Sequence, residues 1–306
     1  MARAKPAWRP TPRDGVSASC VVTPDGTQPS MLSFLAQRLP VLNEAEWRAR
    51  LQRGEVLNAQ GQALAVDAPY AARQRLWYWR ELPDEPELPF TSPLLYQDEH
   101  LVVADKPHFL ATAPKGRYAR ETLLARLQRE LGLSTLVPLH RLDRETAGVV
   151  VFGVLPEERH AYQSLFKDRV VHKAYEAVAP LDPSLSWPLL RESRIETSAQ
   201  FMQMQEVPGE PNARTQIELL RSEGEWGLYR LLPETGRTHQ LRVHMLGLGL
   251  PLRGDRIYPT LLPEVPVGQV EDYSQPLQLL ARELRFKDPL TGEERCFRSQ
   301  RQLTLA

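Results

Sequence analysis

At 306 residues the chain is long enough to bury a real core in one large domain or two smaller ones. Hydrophobic residues at 42% and charged residues at 25% are ordinary for a globular protein and exclude a fibrous or low-complexity chain. Lys+Arg and Asp+Glu balance at 38 each, so charge excess offers no argument for nucleic acid, and any phosphate-binding surface must come from uneven distribution.

Residues 1–15 are basic and proline-bearing, with Arg3, Lys5, Arg9 and Arg13, and read as an arm. From Ser30 the residues Leu32, Leu35 and Leu39 recur on one helical face, and a second helix over 43–52 opens on Asn43 with Glu46 three residues later. Residues 54–58 and 62–66 read as two short strands joined by a turn, and 76–79 as an aromatic strand closing the small unit. Residues 83–89 hold three prolines and three acids and read as a linker. The boundary is placed near residue 90, giving an N-terminal arm with a small α/β domain over 1–90 and a larger domain over 91–306.

In the larger domain, 94–105 reads as a hairpin and 121–131 as a helix ended by Gly132. Residues 147–155 form a valine-rich buried strand. This is the longest strongly apolar stretch, far short of the ~20 residues that span a bilayer, so no membrane association is expected. A helix over 157–166 and strands over 174–178 and 227–232 follow. After a turn at Gly236, Leu241, Met245 and Leu248 recur at helical spacing. Helices and strands interleave irregularly, which predicts an α+β fold rather than a doubly wound sheet.

Two clusters concentrate chemistry. His140-Arg141-Leu142-Asp143-Arg144-Glu145-Thr146 is a polar loop at the start of the buried strand, where a rigid scaffold can hold a site. The alternative is a polar turn tied by local ion pairs. The second runs from Thr235 to His244, where Gly236 allows a sharp turn and the following helix offers N–H groups to an anion. Arg237, Thr238, His239 and Gln240 add side-chain donors there; the alternative is an ordinary capped helix. His239 and His244 are five apart, not the four that would pair them on a helix for zinc. Two distant cysteines, Cys20 and Cys296, make no multi-cysteine metal site, and with no secretory signal ahead of them a reducing, cytoplasmic setting is expected.

His140-Arg141-Leu142-Asp143 followed by Thr146-Ala147-Gly148 resembles the signature of the RluA-type RNA pseudouridine synthases. Similar strings follow the family's order. They include residues 95–103 with Lys106-Pro107, Lys173-Ala174-Tyr175-Glu176-Ala177-Val178, Ala213-Arg214-Thr215, residues 235–244, Gly254-Asp255 with Tyr258, and residues 277–288. The resemblance covers about residue 91 onward. Ala147 stands where the family usually has Ser, and Leu280 where it has His; neither is a catalytic position. Residues 31–66 loosely resemble the small RNA-binding domain often attached, without its usual density of basic residues.

The resemblance implies a mixed, largely antiparallel central sheet with flanking helices and loops. It implies a reaction that breaks the N1–C1′ bond of uridine, turns the uracil and rejoins it through C5. Nothing is oxidised or hydrolysed, so neither cofactor nor metal is expected. Asp143 is implied as the catalytic carboxylate, acting as base or as nucleophile, with Arg242 as its cationic partner. Tyr175 is implied as the ring against the target base, and Arg141 as the side chain that fills the space of a flipped nucleotide. Lys115, Arg117 and Arg120 lie on a loop that can grip phosphates, or form a solvated charge run. The implied partner is RNA, a stem-loop of large-subunit ribosomal RNA or transfer RNA, met by a monomer. Two competing readings are a non-catalytic RNA-binding or ribosome-assembly factor on the same fold, and a glycoside hydrolase using Asp143 and Glu145.

Overall fold

The computed structural model describes residues 8–13, 16, 18–79, 85–114, 118–200, 202–263, 265–266, 269 and 271–305. The chain divides into two compact units, Met1–Glu85 and Pro86–Ala306.

In the first unit, β1 (Ser19–Val22), α1 (Met31–Arg38), α2 (Glu44–Gln52), β2 (Val56–Leu57) and β3 (Arg75–Tyr78) surround a core that includes Met31, Leu35, Trp47, Leu51 and Leu76. Ser30 caps α1, and Asn43 with Glu46 forms a reciprocal capping box on α2. The strand expected over 62–66 does not form. Asn58 takes the backbone N–H groups of Gln60 and Gln62 on its side chain, and the ladder ends after the single bridge Leu57–Ala63. Leu64 and Val66 pack against the core instead.

The second unit is built on a mixed sheet. Its elements are β4 (Leu94–Gln97), β5 (Leu101–Lys106), α3 (Leu123–Leu131), β6 (Val137–Pro138), β7 (Ala147–Gly153), α4 (Arg159–Lys167), β8 (His172–Pro180), β9 (Leu189–Thr197), β10 (Met204–Val207), β11 (Ala213–Glu223), β12 (Trp226–Pro233), α5 (Gln240–Gly247), β13 (Leu279–Lys287) and β14 (Glu294–Arg298). The strands run in the order β10-β9-β11-β12-β8-β13-β7-β5-β4, with β14 on β13 and β6 on β7. Every pairing is antiparallel except β13 with β7. Leu88, within the expected linker, is buried in this unit's core.

β5 and β7 are buried at every residue because both faces are covered. Leu123 and Leu127 of α3 pack with Val150 and Phe152 on one side, and Tyr162 of α4 packs with Val149 and Val151 on the other. Leu241 and Met245 hold α5 on a third cluster with Ala177, Ile217 and Leu231. Strands β9 to β11 escape the sequence reading because they are largely half-exposed and rich in Arg and Glu. On β11 only Ala213, Thr215 and Ile217 are turned fully inward.

The register around β13 positions the site. Ala281 lies between Tyr175 of β8 and Gly148 of β7. Gly148 has φ +116°, and a Cβ there would lie 2.3 Å from the Ala281 carbonyl oxygen, so only glycine lets β7 start this close to β13. The loop before β7 and the Tyr175 segment of β8 therefore meet across a single strand. No helix among the described residues is long and apolar enough to cross a membrane.

Candidate active site

The loop from His140 to Thr146 joins β6 to β7 and is pinned from three directions. Behind it, the His140 ring stacks on Phe166 at 4.8 Å and accepts the Val151 N–H at 3.1 Å. Burial pushes this imidazole down to about 3, so it stays neutral and can accept. From the segment after β5, the Thr112 hydroxyl donates to the Leu142 carbonyl at 2.9 Å and accepts the Leu142 N–H at 3.1 Å. His108 Nδ1 meets the Glu145 carbonyl at 2.7 Å. Lys106 is fully buried, and its ammonium donates to the carbonyls of Pro107, Leu110 and Arg144. Burial brings its pKa down to about 7, against the pull of Glu145 and Asp143.

Asp143 rises from this pinned loop with its side chain 37% exposed, open enough for a substrate to reach. Arg242, on the first turn of α5, is 1% exposed and brings Nη1 to 3.7 Å from Asp143 Oδ2. Its other edge is engaged elsewhere: Nε and Nη2 donate to Asp255 at 2.8 and 2.5 Å. Burial works against the guanidinium charge, but the Asp255 carboxylate, with Asp143 adding to it, raises the Arg242 pKa overall. His239 Nε2 also approaches Asp143 Oδ2, at 3.8 Å. Tyr175 is half-buried at the meeting of two core clusters, and burial together with the nearby Asp143 charge raises its phenol above the ordinary range.

A carboxylate facing a fixed cation, with a phenol held protonated near it, suits proton or nucleophile chemistry on a bound ring. Residues 100–246 match the family model for RNA pseudouridylate synthase. An uncharacterised RNA pseudouridine synthase of Synechocystis is 30% identical over 240 residues, 74% of this chain and 79% of that protein. The dual-specificity RNA pseudouridine synthase RluA of Haemophilus influenzae is 31% identical over 218 residues, 68% of this chain and 92% of that protein. The chain belongs to the RluA-type RNA pseudouridine synthases. Among solved structures, human RNA pseudouridylate synthase domain containing 4 superposes with a TM-score of 0.52 at 30% identity, covering 69% of this chain and 88% of that one.

The remaining residues expected to serve this RNA pseudouridine synthase fall into three groups. Arg141, Arg237 and Thr238 are exposed, and the Arg237 Nε donates to the Asn212 carbonyl at 3.2 Å. Lys115 and Arg117 lie outside the described residues. Gln240, expected among the RNA-facing donors, is buried. Its amide accepts from the Thr235 hydroxyl and the Arg237 N–H and donates to the Arg214 carbonyl and the Thr215 hydroxyl. It closes the first turn of α5 from within, because a side chain at that position points back under the helix.

Asp255 was visible in the sequence only as part of a family-like string with no role attached. Gly254, at φ +74°, lies so close to the Pro276 carbonyl that a Cβ would sit 2.2 Å from its oxygen. That tight passage delivers Asp255 to Arg242. Lys106 and Thr112 carry no signal beyond the Lys-Pro pair, since the contacts that brace the loop, Lys106 to the Arg144 carbonyl and Thr112 to the Leu142 backbone, join positions 30 or more residues apart.

Proposed function

We propose that this enzyme converts a specific uridine in a structured RNA to pseudouridine, with Asp143 as the catalytic carboxylate, Arg242 as the cation that orients it and Tyr175 as the ring against the base. The observation that carries this reading is the buried Arg242 Nη1, which makes no hydrogen bond among the described residues and faces Asp143. A buried donor left open beside a half-exposed carboxylate is a costly arrangement unless the pair works together on a bound ligand.

The reacting uridine must leave its stack to reach Asp143, at a cost of a few kcal/mol. Arg141, exposed two residues before Asp143, is suited to fill the vacated space. Arg237 and Thr238 are suited to phosphates, and Lys115 and Arg117 carry the charge for the same role. Once the N1–C1′ bond is broken, the Tyr175 ring holds uracil while C5 turns toward the sugar; the C1′–C5 bond then forms, the C5 proton leaves and N1 takes one up, so nothing is gained or lost overall. Asp143 either takes a proton from the ribose or adds to the substrate. The target we favour is a stem-loop uridine of large-subunit ribosomal RNA or transfer RNA, met by a monomer. The Haemophilus influenzae relative is a dual-specificity RNA pseudouridine synthase, which supports an RNA substrate.

Pseudouridine mapping of total RNA tests this reading in cells lacking the gene, complemented with wild type or Asp143→Asn. Loss of one or a few sites restored only by wild type supports it. An unchanged map across growth conditions defeats it in favour of a non-catalytic RNA-binding role.

A further inference from the structure

His239 lies at the N-terminus of α5 with φ +54°, a left-handed conformation uncommon for a residue other than glycine. Such local strain, on the order of 1–3 kcal/mol, persists where surrounding contacts over-determine it. Here the kink turns the ring inward, its side chain 10% exposed, toward both Asp143 and Tyr258.

The hydrogen bonds around Tyr258 set the proton positions. Its hydroxyl oxygen accepts the Met204 N–H at 2.7 Å, and it lies 2.9 Å from His239 Nδ1. Tyr258 is buried, and burial raises its pKa, so the hydroxyl keeps a proton that needs an acceptor. His239 Nδ1, at 2.9 Å, is the ring nitrogen placed to take it. The ring must then carry its own proton on Nε2, the atom 3.8 Å from Asp143 Oδ2. Arg242 Nη1 approaches the same oxygen at 3.7 Å, with its guanidinium 5.3 Å from the centre of the Tyr258 ring. One tyrosine thus borders both donors that face Oδ2.

We propose that His239 is a positioning residue for Asp143: a neutral imidazole, locked by Tyr258 as the Nε2–H tautomer, that with Arg242 holds Oδ2 and leaves Oδ1 to meet the substrate. The inference deepens the catalytic reading of Asp143 and rests on it. The 3.8 Å separation is longer than a hydrogen bond and tightens when RNA fills the cleft, as hydrogen bonds in empty sites commonly do. His239 therefore acts on the carboxylate and contributes through kcat, not through RNA affinity.

Two measurements test it separately from the reading beneath it. On the free protein at neutral pH, multiple-bond 15N–1H spectra, with the His239 signals assigned by their loss in His239→Gln, are expected to show the Nε2–H tautomer. Tyr258→Phe is expected to give a mixture. With an RNA that the wild type modifies, His239→Ala and Tyr258→Phe are expected to lower kcat about 10- to 100-fold with KM little changed. His239→Gln, whose amide N–H can reach the Nε2 position, recovers most of that loss. An Nδ1–H tautomer in the wild type overturns the inference whatever the activity. So does wild-type turnover by His239→Ala, or a loss confined to KM. Undiminished product from Asp143→Asn defeats the catalytic reading instead, a result the ring spectra do not depend on.

Discussion

Arg242 gives the two-nitrogen edge of its guanidinium to Asp255, at 2.8 and 2.5 Å, and only the remaining Nη1 faces Asp143, at 3.7 Å. Asp255 also accepts the N–H groups of Ile257 and Tyr258, so it is rigid before Arg242 docks on it. A bidentate pair of this kind fixes the plane of the guanidinium as well as its position. The Arg242–Asp143 partnership expected from the sequence is thus a three-member arrangement, and orientation comes from the buried Asp255.

Asp255→Asn keeps the shape of the pair but removes the charge that aims the fork. It is expected to lower kcat by about 100-fold, the scale associated with a misplacement of about 1 Å, with a smaller effect on KM. Arg242→Ala leaves Asp255 buried without its cation and is expected to cost about 3–5 kcal/mol of stability besides turnover. Thermal melts with single-turnover kinetics check both. A wild-type rate for Asp255→Asn would mean that something else orients Arg242.

Tyr175→Phe retains the ring and removes the hydroxyl. Bound RNA with product formation reduced at least about 100-fold supports a proton-transfer role at C5. An unchanged rate restricts Tyr175 to stacking. Filter binding and product analysis on one RNA decide between them.

Burial holds His140 at about 3 and His108 and His244 at about 4, against an ordinary 6.5. Between those values the unfolded chain binds protons that the folded chain refuses, so stability is full above about 6.5 and lost as the pH falls. His100 opposes the trend, because its hydrogen bond to Glu158 raises its pKa. Denaturant melts from pH 7 to 4 are expected to show falling stability. In His140→Gln, whose carbonyl can still accept the Val151 N–H, the slope should be shallower by up to about 1.4 kcal/mol per pH unit. Parallel slopes for the two proteins would show that His140 titrates in the fold.

Arg141→Ala and Arg237→Ala each remove an exposed cation, and each is expected to weaken RNA binding and reduce the log–log salt slope by about 1. Gln240→Ala is expected to leave that slope unchanged and to cost about 1–3 kcal/mol of stability, because its bonds are all internal. Binding isotherms at several salt concentrations, beside melts, separate the two classes.

The sequence by itself determined the family, the α+β class and the position of the signature loop. A pattern of apolar runs, caps and ordered signature strings is local information. The hairpin of β4 and β5, α3 ending at Gly132 and β7 as an apolar run could all be read from neighbours in the chain. Tertiary structure decided what those residues do to one another. The parallel pairing of β13 with β7 sets the Tyr175 segment one strand away from the Asp143 loop, and it depends on register across strands more than a hundred residues apart. Asp255 as the partner of Arg242, Gln240 turned inward, and Lys106 and Thr112 bracing the signature loop follow from burial. A buried polar group must take whatever partner the fold brings within reach, and one sequence does not state that distance.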